Sequence, residues 1–322
     1  MGCNECSLKL STEWDKKFEL SDKVNHKKVT FHNRFGIPLA GDLYEPKDKK
    51  GKLSAIAVCG PIDSVKEQST GLYAMKLAER GFLTLAFDPS FTGGSGGEPR
   101  FLNSPDLNTE DFSSAVDYLS ILENVDPEKI GIIGIWGWGG YALNCAAQDP
   151  RIKATVTSTM YDMSWLTALG YNDSTTEEQR YETKKKLCAQ RIEDYKNGTY
   201  KRAGGLPDKC PEDEPLFLKQ YCDYYKTSRG YHKNSANSND GWIAAASLSL
   251  MNAKLFEIRN AVLVIYGEFA HSLYFSKTAF EKLKGDNKEL MIIPGAYHCD
   301  LYDNLKFIPF DKITDFMNKY LV

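Results

Sequence analysis

The sequence predicts an α/β protein in which a mostly parallel β-sheet carries helices on both faces. Three observations indicate this class. Runs of apolar β-forming residues alternate with stretches of helical spacing, as at Leu53 to Cys59 and Thr70 to Arg80. A glycine-rich turn follows one strand and leads directly into a helix, in KIGIIGIWGWGGYA (129–142). A polar, aromatic-rich interruption of about 100 residues separates two strands and is too long for a plain connection.

Composition restricts the class of partner. The chain has 322 residues, 42% hydrophobic and 26% charged, with a formal net charge of -3, which is typical of a globular protein. Since no long block carries one sign of charge, we expect no nucleic-acid partner. No apolar run reaches about 18 residues, so we expect no membrane span. We expect a small-molecule substrate or ligand, and the oligomeric state stays open.

The cysteines and the N-terminus indicate the compartment. Eight cysteines are scattered along the chain, and no two pairs have the spacing of a zinc site. The N-terminus lacks the hydrophobic segment of a signal peptide. A reduced, cytoplasmic protein is therefore the simplest interpretation. The sequence contains no phosphate loop, dinucleotide fingerprint or metal-ligand cluster, so we expect neither a cofactor nor a metal.

The elements before the glycine-rich turn follow from periodicity and turn residues. Residues 1–23 are polar and predict a loose arm. Residues 27–44 alternate apolar and polar around Phe35-Gly36-Ile37, which predicts a hairpin of two strands. Gly81 ends the helix of Thr70 to Arg80. The remaining predictions are a strand at Phe82 to Phe87 and a helix at Asn108 to Leu122.

Beyond the turn, a short strand is expected at Ala154 to Ser158, and the pattern then changes. Residues 161–260 are polar, helical and rich in aromatic residues, which predicts a helical cap over the carboxyl edge of the sheet, where ligands bind in open α/β sheets. The core would comprise residues 24–160 and 261–322. Its last elements are predicted at Ala261–Tyr266, Lys277–Leu283, Glu289–Ile293 and Phe310–Leu321.

Four stretches resemble the α/β-hydrolase superfamily, in particular its dienelactone-hydrolase-like branch of largely uncharacterised bacterial proteins. They are VCGPI, LAFDPSFTGGSGGEPR, IGIWGWGGYA and PGAYHCDLYD. Their order, with the nucleophile turn before the acid and the histidine, is the order of that superfamily. The resemblance covers nearly the whole chain and implies the α/β-hydrolase fold with a helical cap inserted before the last two strands.

The glycine-rich turn lacks the nucleophile that the resemblance implies. In this superfamily the tip of the turn carries serine, cysteine or aspartate, whereas the register GIWGWGG places Trp138 there. Indole does not attack a carbonyl carbon. We expect Ser64, in a loop beside the expected oxyanion site, to be the best substitute nucleophile. The other candidates considered are Ser90, Ser95, Ser158, Cys59 and Cys145.

The resemblance implies that His298, in Gly295-Ala296-Tyr297-His298, is the proton-transferring histidine. The acid that would orient it is ambiguous. Ala270 occupies the place where an aspartate is expected after the strand ending at Tyr266. Glu268 and Asp162 are equal alternatives, because either carboxylate could fix the tautomer of the ring.

The remaining site residues follow from the same placement. The oxyanion would be bound by the backbone N–H groups of Gly139 and Ile62, since Pro61 has no N–H. Tyr161, Trp165 and His271 are expected to line the pocket. Further aromatic residues that could approach it are Tyr171, Tyr231 and Trp242.

Three hypotheses fit an intact histidine loop without a nucleophile. The first is a hydrolase of an ester or related acyl compound, with His298 as general base on water or on a relocated serine. The second is a non-catalytic ligand-binding protein that has kept the cleft. The third is an acid–base lyase or isomerase without a covalent intermediate. Resemblance favours the first hypothesis, although fold alone does not determine function.

Overall fold

A single sheet of eight strands forms the centre of the protein. The computed structural model describes residues 8–241, 243–244, 258 and 260–321. The strand order is β1-β2-β4-β3-β5-β6-β7-β8. β1 and β2 form an antiparallel hairpin, β2 pairs antiparallel with β4, and the other neighbours are parallel. The strands are β1 (Val24–His32), β2 (Pro38–Pro46), β3 (Leu53–Cys59), β4 (Leu83–Phe87), β5 (Val125–Ile135), β6 (Ile152–Ser158), β7 (Ala261–Gly267) and β8 (Lys288–Ile293).

Helices follow most of the parallel strands and cover the sheet. In the described part of the chain they are α1 (Ser69–Ala78), α2 (Pro105–Ser120), α3 (Gly137–Gln148), α4 (Met163–Leu169), α5 (Glu177–Asn197), α6 (Leu216–Lys226), α7 (Leu273–Lys282), α8 (Asp300–Asp303) and α9 (Phe310–Tyr320). None of the described helices is long and apolar enough to cross a lipid bilayer.

The predicted α/β class, the hairpin and the buried strands are confirmed. β4 and β7 are buried at every position, because helices cover both faces of the parallel part of the sheet. Hydrophobic residues of the two faces form separate clusters, one around β4, α2 and α3 and another around α1, α8 and α9. The helix predicted at Lys277 begins four residues earlier, at Leu273, since the residues before Lys277 also face the core.

The long interruption between β6 and β7 contains α4, a 3-10 turn at Tyr171–Asp173, α5 and α6. Side-chain contacts attach it to the core. Arg229 donates to Asp303 of α8 over 2.7 Å, and Asn237 donates to the carbonyl of Ile62 over 2.6 Å. The division into arm, core and cap stays a prediction, but these contacts hold the inserted segment against the carboxyl edge of the sheet.

The described part of the N-terminal arm, residues 8–23, is fastened to the core. The Lys16 ammonium lies 2.5 Å from the Asp42 carboxylate of β2, and both side chains are buried. The backbone N–H of Lys17 donates to the carbonyl of Glu67 over 2.8 Å. The arm is therefore less loose than its polar sequence predicts, because a buried charge needs a fixed partner.

Candidate functional site

The turn between β5 and α3 holds Trp136 in a conformation that residues with side chains rarely adopt. Its φ and ψ are 56° and -128°, a strain that usually persists only at functional turns. The N–H of Trp136 donates to Ser158 over 2.9 Å, and its carbonyl accepts from Gly139 and Tyr161 at 2.9 and 3.0 Å. The structure therefore places Trp136 at the tip of the strand-to-helix turn.

Trp138 lies elsewhere, which corrects the register expected from the sequence. It is inside the first turn of α3, 1% exposed, and contacts core aromatic rings. Its ring centre lies 5.9 Å from Phe87, 5.3 Å from Phe112 and 5.3 Å from Tyr141. The indole is a core residue that packs under the sheet edge. The predicted tip was two residues too late, because a glycine follows each tryptophan and the sequence alone allows either register.

The oxyanion donors shift with the tip. The N–H of Gly139, expected to be free, donates to the carbonyl of Trp136. The N–H that follows the tip belongs to Gly137. A Cβ at Gly137 would lie 2.4 Å from the end of the Ile62 side chain, so a larger residue there would require the Ile62 side chain to move. Ile62 is thus beside the turn as predicted, and Gly137 replaces Gly139 as the candidate donor.

His298 is fully buried, and hydroxyl groups surround its ring. The hydroxyls of Thr159 and Ser272 each lie 2.7 Å from Nδ1. The hydroxyl of Tyr302 lies 3.1 Å from Nε2. Among the described residues, no carboxylate hydrogen-bonds to this ring. The position that an orienting acid would take is therefore occupied by two neutral hydroxyls.

The two carboxylates expected to orient His298 serve other parts of the backbone. Glu268 is exposed and accepts from the N–H of Gly295 over 2.9 Å. Asp162 accepts from the N–H of Trp165 over 2.9 Å and caps α4. Both act as local backbone acceptors, a common function of acidic side chains at turns and helix starts. The structure contradicts the assignment of either one as the partner of His298.

Ser64, the expected substitute nucleophile, also lies away from the histidine. Its hydroxyl is 3.0 Å from that of Tyr225 and 3.4 Å from the Asn237 amide. The serine is 4% exposed. It therefore belongs to the contact between the loop after β3 and the inserted segment, and no general base described here touches it.

An aromatic cluster connects the buried histidine with the surface. It comprises Trp136, Tyr161, Tyr171, Phe217, Tyr221 and His271. The Trp136 indole donates to the Tyr221 hydroxyl over 3.0 Å. His271 Nε2 lies 3.2 Å from the same hydroxyl and hydrogen-bonds to that of Tyr161. Phe217 stacks on His271, with ring centres 4.4 Å apart. Exposure rises from zero at His298 to 37% at Tyr171.

The three residues named as pocket-lining lie in different surroundings. Tyr161 and His271 belong to the aromatic cluster. Trp165 is half-buried, and its indole hydrogen-bonds to Asp173, so it supports α4 and the 3-10 turn. Trp242 lies outside the described residues.

Burial keeps both histidines neutral. The pKa of His271 is lowered to about 3 by burial. Burial, and secondarily the neighbouring His271, holds the pKa of His298 well below its ordinary value. A general base in a triad depends on a carboxylate to stabilise the imidazolium that forms. With hydroxyl partners only, His298 is a weak base.

Comparison with known proteins defines the family. A family model described as "alpha/beta hydrolase fold" matches residues 68–305. The chain belongs to the α/β-hydrolase fold family. Uncharacterized protein PA2218 of Pseudomonas aeruginosa is 53% identical over 99% of this chain and 87% of its own length. The crystal structure of PA2218 superposes with a TM-score of 0.94, over 98% of this chain and 99% of that one.

Two further relatives of this α/β-hydrolase chain are less similar. Uncharacterized protein YcjY of Escherichia coli is 32% identical over 87% of this chain and 94% of its own length. Polyketide transferase claH of Penicillium crustosum is 31% identical over 41% of this chain and 44% of its own length. The fold prediction is therefore confirmed, and the two relatives that match along most of their length carry no assigned activity.

Several residues of this α/β-hydrolase site were not identified from the sequence. Thr159 directly follows β6, Ser272 is next to His271, and Tyr302 lies four residues after His298, one helical turn away. These sequence positions were the only indications in the sequence that the three hydroxyl residues belong to the site. Because hydroxyl residues are common at such positions for backbone reasons, the signals are weak.

Proposed function

We propose that this α/β-hydrolase-fold protein binds a small molecule non-covalently at the carboxyl edge of its sheet. The observation that carries the proposal is Trp136, whose φ of 56° marks the tip of the turn where family members carry their nucleophile. An indole there offers a ring face and an N–H instead of an attacking atom. A covalent acyl-enzyme route is then closed at the turn.

The residues around Trp136 support the binding of a small molecule. Its indole, the hydroxyls of Tyr161 and Tyr221, and His271 form a network of aromatic faces and polar tips. Nδ1 of His271 is buried and has no hydrogen-bond partner among the described residues. Such groups suit a flat or hydroxyl-bearing small molecule, because aromatic faces supply contact area and the polar tips supply orientation.

The proposal is tested with a fluorophosphonate probe, which labels activated serine nucleophiles. Wild-type protein is expected to remain unlabelled, and a broad panel of esters and thioesters is expected to show no turnover. A serine adduct in the wild-type protein, or ester turnover that His298→Ala abolishes, would overturn the non-covalent proposal.

Substitution at the turn gives a matched comparison. Trp136→Ser puts a hydroxyl on the strained tip, next to the candidate donor N–H of Gly137, and is expected to gain slow labelling at position 136. Trp136→Ala opens the same space without a nucleophile and is expected to stay unlabelled. If both variants fold and neither is labelled, the tip no longer faces a site that accepts acyl-like compounds.

A second candidate is hydrolysis through a relocated serine, in line with the ester-hydrolase hypothesis. The Ser272 hydroxyl lies 2.7 Å from Nδ1 of His298, a serine–histidine contact of the kind that activates nucleophiles. Here the same probe would label Ser272 in the wild-type protein. Labelling would disappear in Ser272→Ala and persist in Thr159→Val, which removes the other hydroxyl on the same nitrogen.

A further inference from the structure

Asp63 lies on the loop after β3, directly beside the strand-to-helix turn. It follows Ile62, whose side chain packs on Gly137. Its φ is 61°, which is uncommon for a residue other than glycine. Its side chain is 3% exposed. A buried carboxyl is thus placed next to the site by a strained backbone.

The inserted segment fixes the backbone of Asp63. The carbonyl of Asp63 accepts from the N–H of Ala236 over 2.8 Å and from the hydroxyl of Ser235 over 2.9 Å. The carboxyl itself takes no part in this attachment. Its position therefore follows from the main chain, and the side chain is not needed to close the loop onto the segment above it.

The carboxyl of Asp63 differs in its hydrogen bonding from another buried carboxyl, that of Asp111. Oδ2 of Asp63 has no hydrogen-bond partner among the described residues. Asp111, 0% exposed, accepts from the Asn33 amide at 2.9 Å, the Ser90 hydroxyl at 2.7 Å and the Ser90 N–H at 2.8 Å. Buried polar groups are nearly always paired, so an orphaned carboxyl oxygen beside a candidate site needs an explanation.

Polar groups from two other segments lie near Asp63. Arg202, from the segment after α5, is the charge that acts on it and opposes the rise of its pKa that burial causes. Tyr141 of α3 is close enough for the Asp63 charge to raise its pKa further. The Tyr141 hydroxyl already donates to Asn103 over 2.5 Å. The Arg202 guanidinium is placed over the Phe101 ring at 4.0 Å.

We propose that Asp63 is a ligand-contacting residue whose free oxygen accepts a hydrogen bond from a hydroxyl or ammonium group of the bound small molecule. The proposal deepens the non-covalent binding function and rests on it, since it assigns a polar contact beside the same strand-to-helix turn. The Arg202 and Tyr141 side chains have other partners, whereas Oδ2 has no partner among the described residues and offers an acceptor position that a donor group of the ligand would fill.

The chemical class of the ligand group follows from the hydrogen-bond donor that the buried Asp63 carboxyl lacks. Burial raises the pKa of Asp63 to about 7, so both its acid and its carboxylate form exist near neutral pH. A hydrogen-bond donor stabilises the carboxylate form, and an ammonium group stabilises it further by its charge. A ligand carboxylate or phosphate at this place would meet like charge and is disfavoured.

Reactivity toward dicyclohexylcarbodiimide tests whether a small apolar molecule reaches Asp63. This reagent adds to a protonated carboxyl: the carboxyl oxygen bonds to its central carbon, the proton moves to nitrogen, and the adduct rearranges to a stable N-acylurea. The adduct is located by peptide mass spectrometry. Asp111, equally buried but fully hydrogen-bonded, is the matched control within the same protein.

We expect an adduct at Asp63 at pH 6 and none at Asp111. Labelling of Asp63 should fall by about tenfold per pH unit once the pH exceeds its pKa. Absence of an adduct at Asp63 in the folded protein, or equal labelling of both carboxyls, would overturn the proposal. The fluorophosphonate experiment does not involve Asp63, so failure here leaves the non-covalent function standing.

Binding of donor groups is tested by thermal unfolding at pH 7.5 with 1-hexanol or hexylammonium chloride. At least one of the two probes should raise the Tm of the wild-type protein more than that of Asp63→Asn, which keeps the shape and loses the ionisable acceptor. A larger increase in Tm with hexylammonium identifies an ammonium group as the ligand group. A larger increase with hexanol identifies a hydroxyl group. Equal shifts in both proteins for both probes would contradict the assignment.

Discussion

The carboxyl edge of the sheet has a charged half and a neutral half. Beside β3 and β4, the Lys66 ammonium lies 2.7 Å from Asp88 and 2.6 Å from Glu67, all of them buried. Beside β6 and β7, His298 is bound only by hydroxyls. The two halves belong to one edge, yet among the described residues the fully buried ion pairs lie on the first half, whereas the Arg229–Asp303 pair near His298 is partly exposed.

The difference shows which polar groups hold the fold and which are available for a ligand. Asp88 also accepts from the N–H groups of Lys66 and Gly94, at 2.7 and 2.8 Å, and so fixes two loops. A buried charge with a complete set of partners is a structural element. On the neutral half, no buried charge of the described residues contacts His298 to drive proton transfer. Asp63 is the exception on the charged half, since one of its oxygens has no partner.

The largest loss of stability is expected from removing a buried ion pair on the charged half. Asp88→Asn would leave the Lys66 ammonium without its main counter-charge in a buried position, and should lower the free energy of unfolding by about 3–5 kcal/mol. Urea denaturation measures it. The control is Asp117→Asn, which breaks an exposed pair with Arg151 and should cost about 1 kcal/mol or less. Similar losses in both variants would contradict a structural role for the buried charges.

The two tryptophans provide a second test, because they lie on different halves. Trp138→Ala removes a core indole between Phe87 and Phe112 and should cost about 3–5 kcal/mol. Trp136→Gly loses contacts in the site but relieves the backbone strain of a positive φ, worth about 1–3 kcal/mol, so its net loss should be smaller. Chemical denaturation of both variants gives the comparison. A larger loss at Trp136 would argue against its placement at the tip.

Asp63→Asn should stabilise the protein in a pH-dependent way. The pKa of Asp63 rises from 3.8 to about 7 on folding, so between these values the native state binds more protons than the unfolded state. Stability should therefore fall as pH rises from about 4 to 7. At about 1.4 kcal/mol per pKa unit, the asparagine variant should gain up to about 4 kcal/mol at pH 8 and nothing at pH 4. A pH-independent difference in thermal or urea unfolding would exclude this titration.

The smallest effects are expected on the neutral half. Thr159→Val or Ser272→Ala removes one hydroxyl from Nδ1 of His298 and leaves the other, so each should cost about 1 kcal/mol. The double variant leaves a buried nitrogen unpaired and should cost more than the sum of the single changes, by about 1 kcal/mol or more. A double-mutant cycle in urea measures the coupling. Strict additivity would mean that the two hydroxyls do not share the histidine.

The fold was readable from the sequence because it depends on local patterns. Continuous apolar runs such as Leu53 to Cys59 indicate strands buried on both faces, and Gly81 ends its helix in a way that needs no tertiary information. The mostly parallel pairing of the strands follows from the same alternation of strands and helices. The long polar interruption at residues 161–260 indicated a cap, and that division of the chain stays a prediction.

The site was only partly readable, since its contacts join distant parts of the chain. Thr159 and His298 are 139 residues apart, and nothing local indicates that a threonine hydroxyl takes the place of a carboxylate. The register of the turn depends on which tryptophan receives the positive φ, and the GIWGWGG sequence, with a glycine after each tryptophan, does not decide it. In the sequence, Glu268 and Asp162 resemble the acid of a triad. In the structure, each carboxylate accepts a hydrogen bond from a nearby backbone N–H group instead.

The strained turn also bears on how many nucleotide changes separate position 136 from a nucleophilic residue. The backbone conformation at Trp136 is set by hydrogen bonds from Gly139 and Tyr161 and to Ser158, none of which uses the indole. Tryptophan has a single codon, which differs by one base from a serine codon and by one base from both cysteine codons. A nucleophile could therefore return to this position by one nucleotide change, into a main chain that already has the conformation it requires.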